Sequence, residues 1–356
     1  MKRKILVLAM AGMMAVTSLT GCGSLKEDDV AVTVNDKEIT AGVANFYARY
    51  VQAQYETYYS AYLGDDMWNS EASEGKTYEE SVKDSVLKEL ETMVLLEEHM
   101  DEYEVSLSDE EKEVIDKSVK EFDEANALDD KELVSGSKET VKRIMTLMAI
   151  QQKMKDAIQA GVDTEVSDEE AAQKSMQYVL FSYTSTDENG ESVDLTDEEK
   201  AEVKNQATAF AEGAKAAEDF SAYATEQGAE AKTATFDAES TSPSEDLIKA
   251  ADALEEGGVT DVIETDTGCY VAKVTSLLDR EATDSKKQTI ISEREQQLYT
   301  DTCDEWLDKA EIKVHESVWK KIDFSDMSVT IRQDDSEPYA DTVQTDDVAD
   351  SGSESE

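Results

Sequence analysis

Thr265-Asp266-Thr267-Gly268-Cys269-Tyr270-Val271-Ala272-Lys273-Val274 sets the frame for the rest of the chain. A polar turn gives way at Gly268 to a run rich in apolar and β-branched residues, so Cys269 to Thr275 reads as a strand. Upstream, Gly257-Gly258 supplies a turn and Thr260 to Ile263 a second short strand. Further out, Met176 to Tyr183 and Thr233 to Phe236 also read as strands. Helical spacings fill the gaps, at about 197–217, 219–227 and, after Pro243, Glu245 to Leu254. Strands joined by helices in this order make a small α+β unit on antiparallel pairing. A long helix at about 284–309 follows, then Ile312 to Val314 and an amphipathic stretch around Trp319.

The residues before this unit read differently. Val30 to Val34 and Lys37-Glu38-Ile39 form a short hairpin about Asn35-Asp36, and Thr40 can cap the helix that follows. That helix, Ala41 to Leu63, carries Phe46, Tyr47, Tyr50, Tyr55, Tyr58, Tyr59 and Tyr62, too many aromatics for one narrow stripe. Such excess suits a shallow surface for unfolded chains, and core packing is the competing use of each ring. A second helix runs from Tyr78 to about Glu102, with Val82, Val86, Leu90, Met93 and Val94 inward. A further one, Lys138 to about Ala160, turns Val141, Ile144, Met145, Met148, Met154 and Ile158 to one side. Ser108-Asp-Glu-Glu111, Ser167-Asp-Glu-Glu170 and Thr196-Asp-Glu-Glu199 are capping boxes that predict three helix starts.

At the N-terminus, Lys2-Arg3-Lys4 precedes an apolar run, Ile5 to Val16, of export-signal length and short for a spanning helix. The run ends in Leu19-Thr20-Gly21-Cys22, which resembles the lipobox of bacterial lipoproteins. That resemblance implies removal of residues 1–21, diacylglycerol on Cys22, and attachment to the extracytoplasmic face of the cell membrane. Residues 22–29 then form a polar tether. Gln333 to Glu356 holds acids and no Lys or Arg, and residues 333–356 read as a disordered tail. The whole chain carries a formal charge of −49. Such a charge repels phosphate backbones, so nucleic-acid binding is excluded. Two histidines (His99, His315) and three cysteines, with no CxxC, HExxH or P-loop, leave no expected metal site or cofactor. Cys269 and Cys303 are expected as free, partly buried thiols. His99 is expected as a partner of a helix C-terminus rather than a base.

Taken in order, lipobox, hairpin, helical block, α+β unit and closing helix resemble the PrsA/SurA-type extracytoplasmic foldases. Val32-Thr33-Val34-Asn35-Asp36-Lys37-Glu38-Ile39-Thr40 is similar to the opening of their chaperone domain. Three segments resemble the parvulin peptidyl-prolyl isomerases: Glu218 to Ala224, Ala250 to Leu254 with Gly257 and Val259, and Thr265 to Val274. The resemblance implies a mostly helical SurA-N-like chaperone domain, discontinuous in sequence, from residues 30–170 and 284–332. A parvulin-like α+β domain at 172–278 is inserted between its halves.

The departures bear on catalysis. Where parvulins place two histidines under the substrate proline, the resemblance puts Tyr178 and Tyr270. Thr267 matches a usual Ser or Thr, Phe236 belongs to the implied substrate groove, and Leu247 stands where a groove Phe is expected. The glycine-rich loop with the family's Cys or Asp is missing between Ala224 and Phe236. Rotation about X–Pro faces a barrier of about 18–20 kcal/mol and needs no nucleophile. A dry groove that holds the amide twisted would suffice, and a tyrosine pair offers donor and acceptor hydroxyls. The tyrosines either serve that purpose or only pack the sheet. The expectation is a lipid-anchored folding factor for unfolded exported proteins, favouring basic clients. An active isomerase and a solute-binding or adhesion lipoprotein are the alternatives. A solute receptor would need repeated βαβ units, which this pattern lacks.

Overall fold

The computed structural model describes residues 14–18 (backbone only), 25–64, 66–73, 75–187 and 190–331. Cys22 and the acidic tail at 333–356 lie outside them, as does most of the expected signal. Along the chain come β1 (Met14–Ser18), β2 (Val30–Val34), β3 (Lys37–Thr40), α1 (Ala41–Leu63), β4 (Glu71–Ser73), β5 (Lys76–Thr77) and α2 (Tyr78–Glu98). Then follow α3 (Asp109–Ala125), α4 (Leu128–Leu133), α5 (Lys138–Gln159), β6 (Lys174–Ser182), β7 (Thr184–Thr186), β8 (Ser192–Asp194) and α6 (Asp197–Ala214). The remainder is α7 (Phe220–Glu226), β9 (Lys232–Phe236), α8 (Glu245–Asp252), β10 (Ile263–Glu264), β11 (Gly268–Ser276), α9 (Arg280–Lys309), β12 (Ile312–Val314), α10 (Glu316–Trp319) and β13 (Met327–Ile331). The fold is α+β, and every described strand pairing is antiparallel. Among the described residues no helix is long and apolar enough to cross a membrane.

The chain divides into two compact units: up to Gly161 together with Leu298 onward, and Val162–Gln297. Charged side chains tie the two flanks of the second unit together. Asp168 pairs with both Arg280 and Lys287, and Arg294 reaches the carbonyls of Asp163 and Glu165 at 3.1 Å.

In the first unit, Thr40 accepts from Val43 N and starts α1, while α2 begins with a capping box, Thr77 with Glu80, absent from the sequence expectations. Ser108 and Thr196 form the expected boxes. Ser167 accepts from Glu170 N at 3.1 Å but only one turn follows, because β6 starts at Lys174 and leaves no length for a helix. Val82, Val86, Leu90, Met93 and Val94 of α2 meet Val141, Ile144 and Met145 of α5 in one core with Phe46, Tyr47 and Tyr50 of α1. The first half of the aromatic helix is therefore core. Its last turn reaches solvent, with Tyr59 41% and Tyr62 86% exposed. Met145 and Met154 of α5 are likewise buried.

α1 also buries a polar row. Arg49 donates to Gln52 Oε1 at 2.7 Å and to the Asp323 carbonyl at 2.9 Å, and burial lowers its guanidinium to about 10. Gln52 donates to the carbonyls of Phe324 and Met327, and Glu56 accepts from Trp68 Nε1 at 2.8 Å and Val329 N at 2.6 Å. The row satisfies backbone groups that segment 323–331 would otherwise bury unmet. His99 caps α2, with Nδ1 2.7 Å from Glu102 Oε1, and its ring stacks on Trp306 at 4.0 Å. Cys303 and, in the second unit, Cys269 are both free and buried.

Candidate functional site

The second unit is a four-stranded sheet in the order β10-β11-β6-β9. Alternation along β6 and β11 sends their side chains to two separate cores. Val179 and Val271 meet Phe210, Ala211 and Ala214 of α6 and Phe220 and Ala224 of α7 on one face. Met176, Tyr270, Ala272 and Val274 meet Phe236 and Leu247, Ile248 and Ala251 of α8 on the other. The expected strand at Thr260 to Ile263 shrinks to β10. Thr260 Oγ1 instead accepts from Ala272 N at 3.0 Å, so a side chain replaces a ladder bond, and Val259 makes a single bridge to Lys273.

Tyr178 and Tyr270 lie on the α8 face. Tyr178 stands opposite Ala272 and Tyr270 opposite Leu180, which makes the two rings diagonal neighbours. Their centroids are 6.0 Å apart at an interplanar angle of 45°. Tyr270 is 6% exposed, and its hydroxyl donates to the Pro243 carbonyl at 3.4 Å. Tyr178 is only partly buried, and burial followed by the neighbouring Tyr270 raises its hydroxyl pKa. Among the described residues no bond joins the two hydroxyls. Each tyrosine hydroxyl can both donate and accept a hydrogen bond.

The other expected site residues are placed less favourably. Phe236 and Leu247 are completely buried (0%), so both build the core under α8 and neither offers surface to a groove. The resemblance implied a groove role for both, and their apolar character is what puts them inside. Thr267 is exposed in the turn before β11, with its hydroxyl 3.2 Å from Thr265 Oγ1. The missing glycine-rich loop is replaced by a tight turn at Gly228, whose φ is 74°, leading into β9.

A cleft of about 720 Å³ opens where α8 begins and the β10–β11 turn ends. Glu245, Asp246, Glu264 and Asp266 line it, with Lys200 and Tyr183. The Tyr183 hydroxyl lies 3.1 Å from Glu264 Oε1 and 3.2 Å from Cys269 Sγ, and its pKa is raised first by the cysteine, then by burial and the glutamate. Lys204 pairs with Glu264 and holds that carboxyl below its ordinary value. The lining thus carries four carboxylates and one lysine, with one of the carboxylates paired to Lys204. This part escaped the sequence reading, because acids are everywhere in the chain and only the fold gathers these.

Residues 186–286 match the family of PPIC-type PPIASE domains, a span that includes Tyr270 and Thr267 and begins after Tyr178. The foldase protein PrsA of Clostridium botulinum (strain Loch Maree / Type A3) is 27% identical over 270 residues, covering 71% of this chain and 78% of that one. Among solved structures, the PrsA foldase of Lactococcus lactis is 16% identical with a TM-score of 0.35, covering 83% of this chain and 97% of its own. A SurA-like chaperone from the Campylobacter jejuni work on PEB4 and Cj1289 is 15% identical with a TM-score of 0.29, covering 80% and 98%. Residues 186–286 thus resemble a parvulin-type peptidyl-prolyl isomerase unit, and the chain as a whole is similar to foldases and chaperones that carry one. Within that class, the chain is a relative of the PrsA-type foldases.

Proposed function

We propose that this chain is a lipid-anchored folding factor on the extracytoplasmic face of the cell membrane. Residues 1–21 are removed, Cys22 carries the lipid, and 22–29 tether the body. Residues 30–170 and 284–332 hold newly exported, unfolded proteins, while 172–278 is the parvulin-like part. The observation that carries this reading is the sheet of the second unit, with its PPIC-type match and its tyrosine pair at the two strand positions assigned to the proline site. No cofactor enters. The acidic body favours basic clients, whose attraction salt weakens. The experiment is suppression of client aggregation by the mature chain, with unchanged aggregation overturning the reading.

One observation favours a second reading, an active isomerase: the partly exposed Tyr178 beside Tyr270 on one face of the sheet. A proline-peptide exchange assay tests it. If the hydroxyls take part, Tyr178→Phe and Tyr270→Phe each slow the catalysed exchange by about a hundredfold, the lower end of the range for a lost positioned donor. No acceleration by the wild type, and no difference in the variants, leaves the pair as packing.

A further inference from the structure

The two edges of β13 are met in different ways. On one edge α1 stands in for a strand: Gln52 Nε2 donates to the Met327 carbonyl at 2.7 Å, and Val329 N donates to Glu56 Oε2 at 2.6 Å. Ile331 N donates to Thr57 Oγ1 at 2.9 Å. Backbone groups of successive strand residues point to opposite edges, so those of Ser328 and Thr330 are left for the other side. There β1 lies antiparallel, with Thr17 opposite Ser328 and Ala15 opposite Thr330. α4 runs beside β1, and its Leu128 and Leu133 are 64% and 39% exposed.

β1 is part of the segment that export would remove, and the inference rests on that proposed removal. Cleavage before Cys22 takes Met14–Ser18 away and leaves Ser328 and Thr330 with two N–H and two C=O groups unpaired. An open strand edge is a template for another chain. We infer that in the mature protein this edge, bordered by α4, takes an extended, uncharged and largely apolar segment of an unfolded client by strand addition. The occupant is argued from the one seated there: Met-Ala-Val-Thr-Ser has no charge and no proline. Main-chain bonds supply the affinity in such pairing, so clients of varied sequence are accepted, as a general holder requires.

The test uses the mature chain recovered in detergent from cells that process it, with its start fixed by mass spectrometry. The probe is a fluorescent peptide copying residues 12–20. In-register pairing makes the N–H groups of Ala15 and Thr17 face β13, while that of Val16 faces away. The peptide should bind, N-methylation at Ala15 and Thr17 together should weaken it by about tenfold or more, and N-methylation at Val16 should leave it within about threefold. A chain that starts at Cys22 and fails to bind, or binds both methylated peptides alike, overturns the slot while leaving export intact. A mass that retains residues 1–21 overturns both, since the edge is then filled. A mature chain that dimerises and excludes the peptide shows that a second copy covers the edge, which also overturns a client slot.

Discussion

Replacing Glu56 with alanine is expected to destabilise the first unit by about 3–5 kcal/mol, the cost of leaving several buried donors without their acceptor. For a unit of this size that corresponds to a fall of roughly 10 °C in its thermal midpoint. Glu56 Oε1 accepts from Gln52 Nε2 at 2.7 Å and Trp68 Nε1 at 2.8 Å, and Oε2 accepts from Ser328 Oγ at 2.7 Å and Val329 N at 2.6 Å. Alanine leaves an indole and a backbone N–H buried without acceptors beside the Arg49 charge, and each such orphan costs about 1–3 kcal/mol. Differential scanning calorimetry checks this. Glu110→Ala, an exposed acid in the first turn of α3, should cost less than about 1 kcal/mol. Equal effects from the two substitutions would show that the polar row does not hold segment 323–331.

Gly268→Ala is expected to cost the second unit about 3–5 kcal/mol, combining backbone strain with overpacking against a neighbouring strand. Gly268 has φ +153°, and an added Cβ would sit 2.3 Å from the Phe181 carbonyl oxygen and 2.9 Å from Leu180 Cδ1. The nearest obstacle is backbone of β6, which cannot step aside without breaking the pairing that brings Tyr178 beside Tyr270. The fully buried Cys269 thiol next in sequence reports the damage, and its reaction with a thiol reagent under native conditions should accelerate. Gly257→Ala isolates strain, since φ is +82° there and a Cβ meets open space, so about 1–2 kcal/mol is expected. A Gly268→Ala protein with native melting and an unreactive Cys269 would contradict the tight β6–β11 register.

Much of the architecture was legible in local chemistry. Thr40, Ser108 and Thr196 announce helix starts because a short side chain next to a helical period has a single effective use, accepting an orphan N–H. Ser167 carries the same motif and fails, because seven residues later β6 claims the backbone. Capping is a local preference and tertiary pairing overrides it. The resemblance singles out Tyr178 and Tyr270, and the register of β6 with β11 makes them diagonal neighbours on one face. The resemblance gives Phe236 and Leu247 their positions in the chain but not their burial, and both sit in the core that α8 builds against the sheet. The Arg49–Gln52–Glu56 row was invisible, since its partners lie some 270 residues away and are mostly backbone atoms with no sequence signature. The pairing of β1 with β13 was hidden similarly, because an apolar export run shows its composition and not the edge that it fills.

The account stands most directly on whether the mature chain holds unfolded protein. An exported, basic test protein diluted from denaturant under reducing conditions should scatter less light and do so later when the chain is present. The suppression should weaken as salt is added. Scattering that is unchanged at molar excess of a chain verified as folded, and verified to start at Cys22, would contradict it.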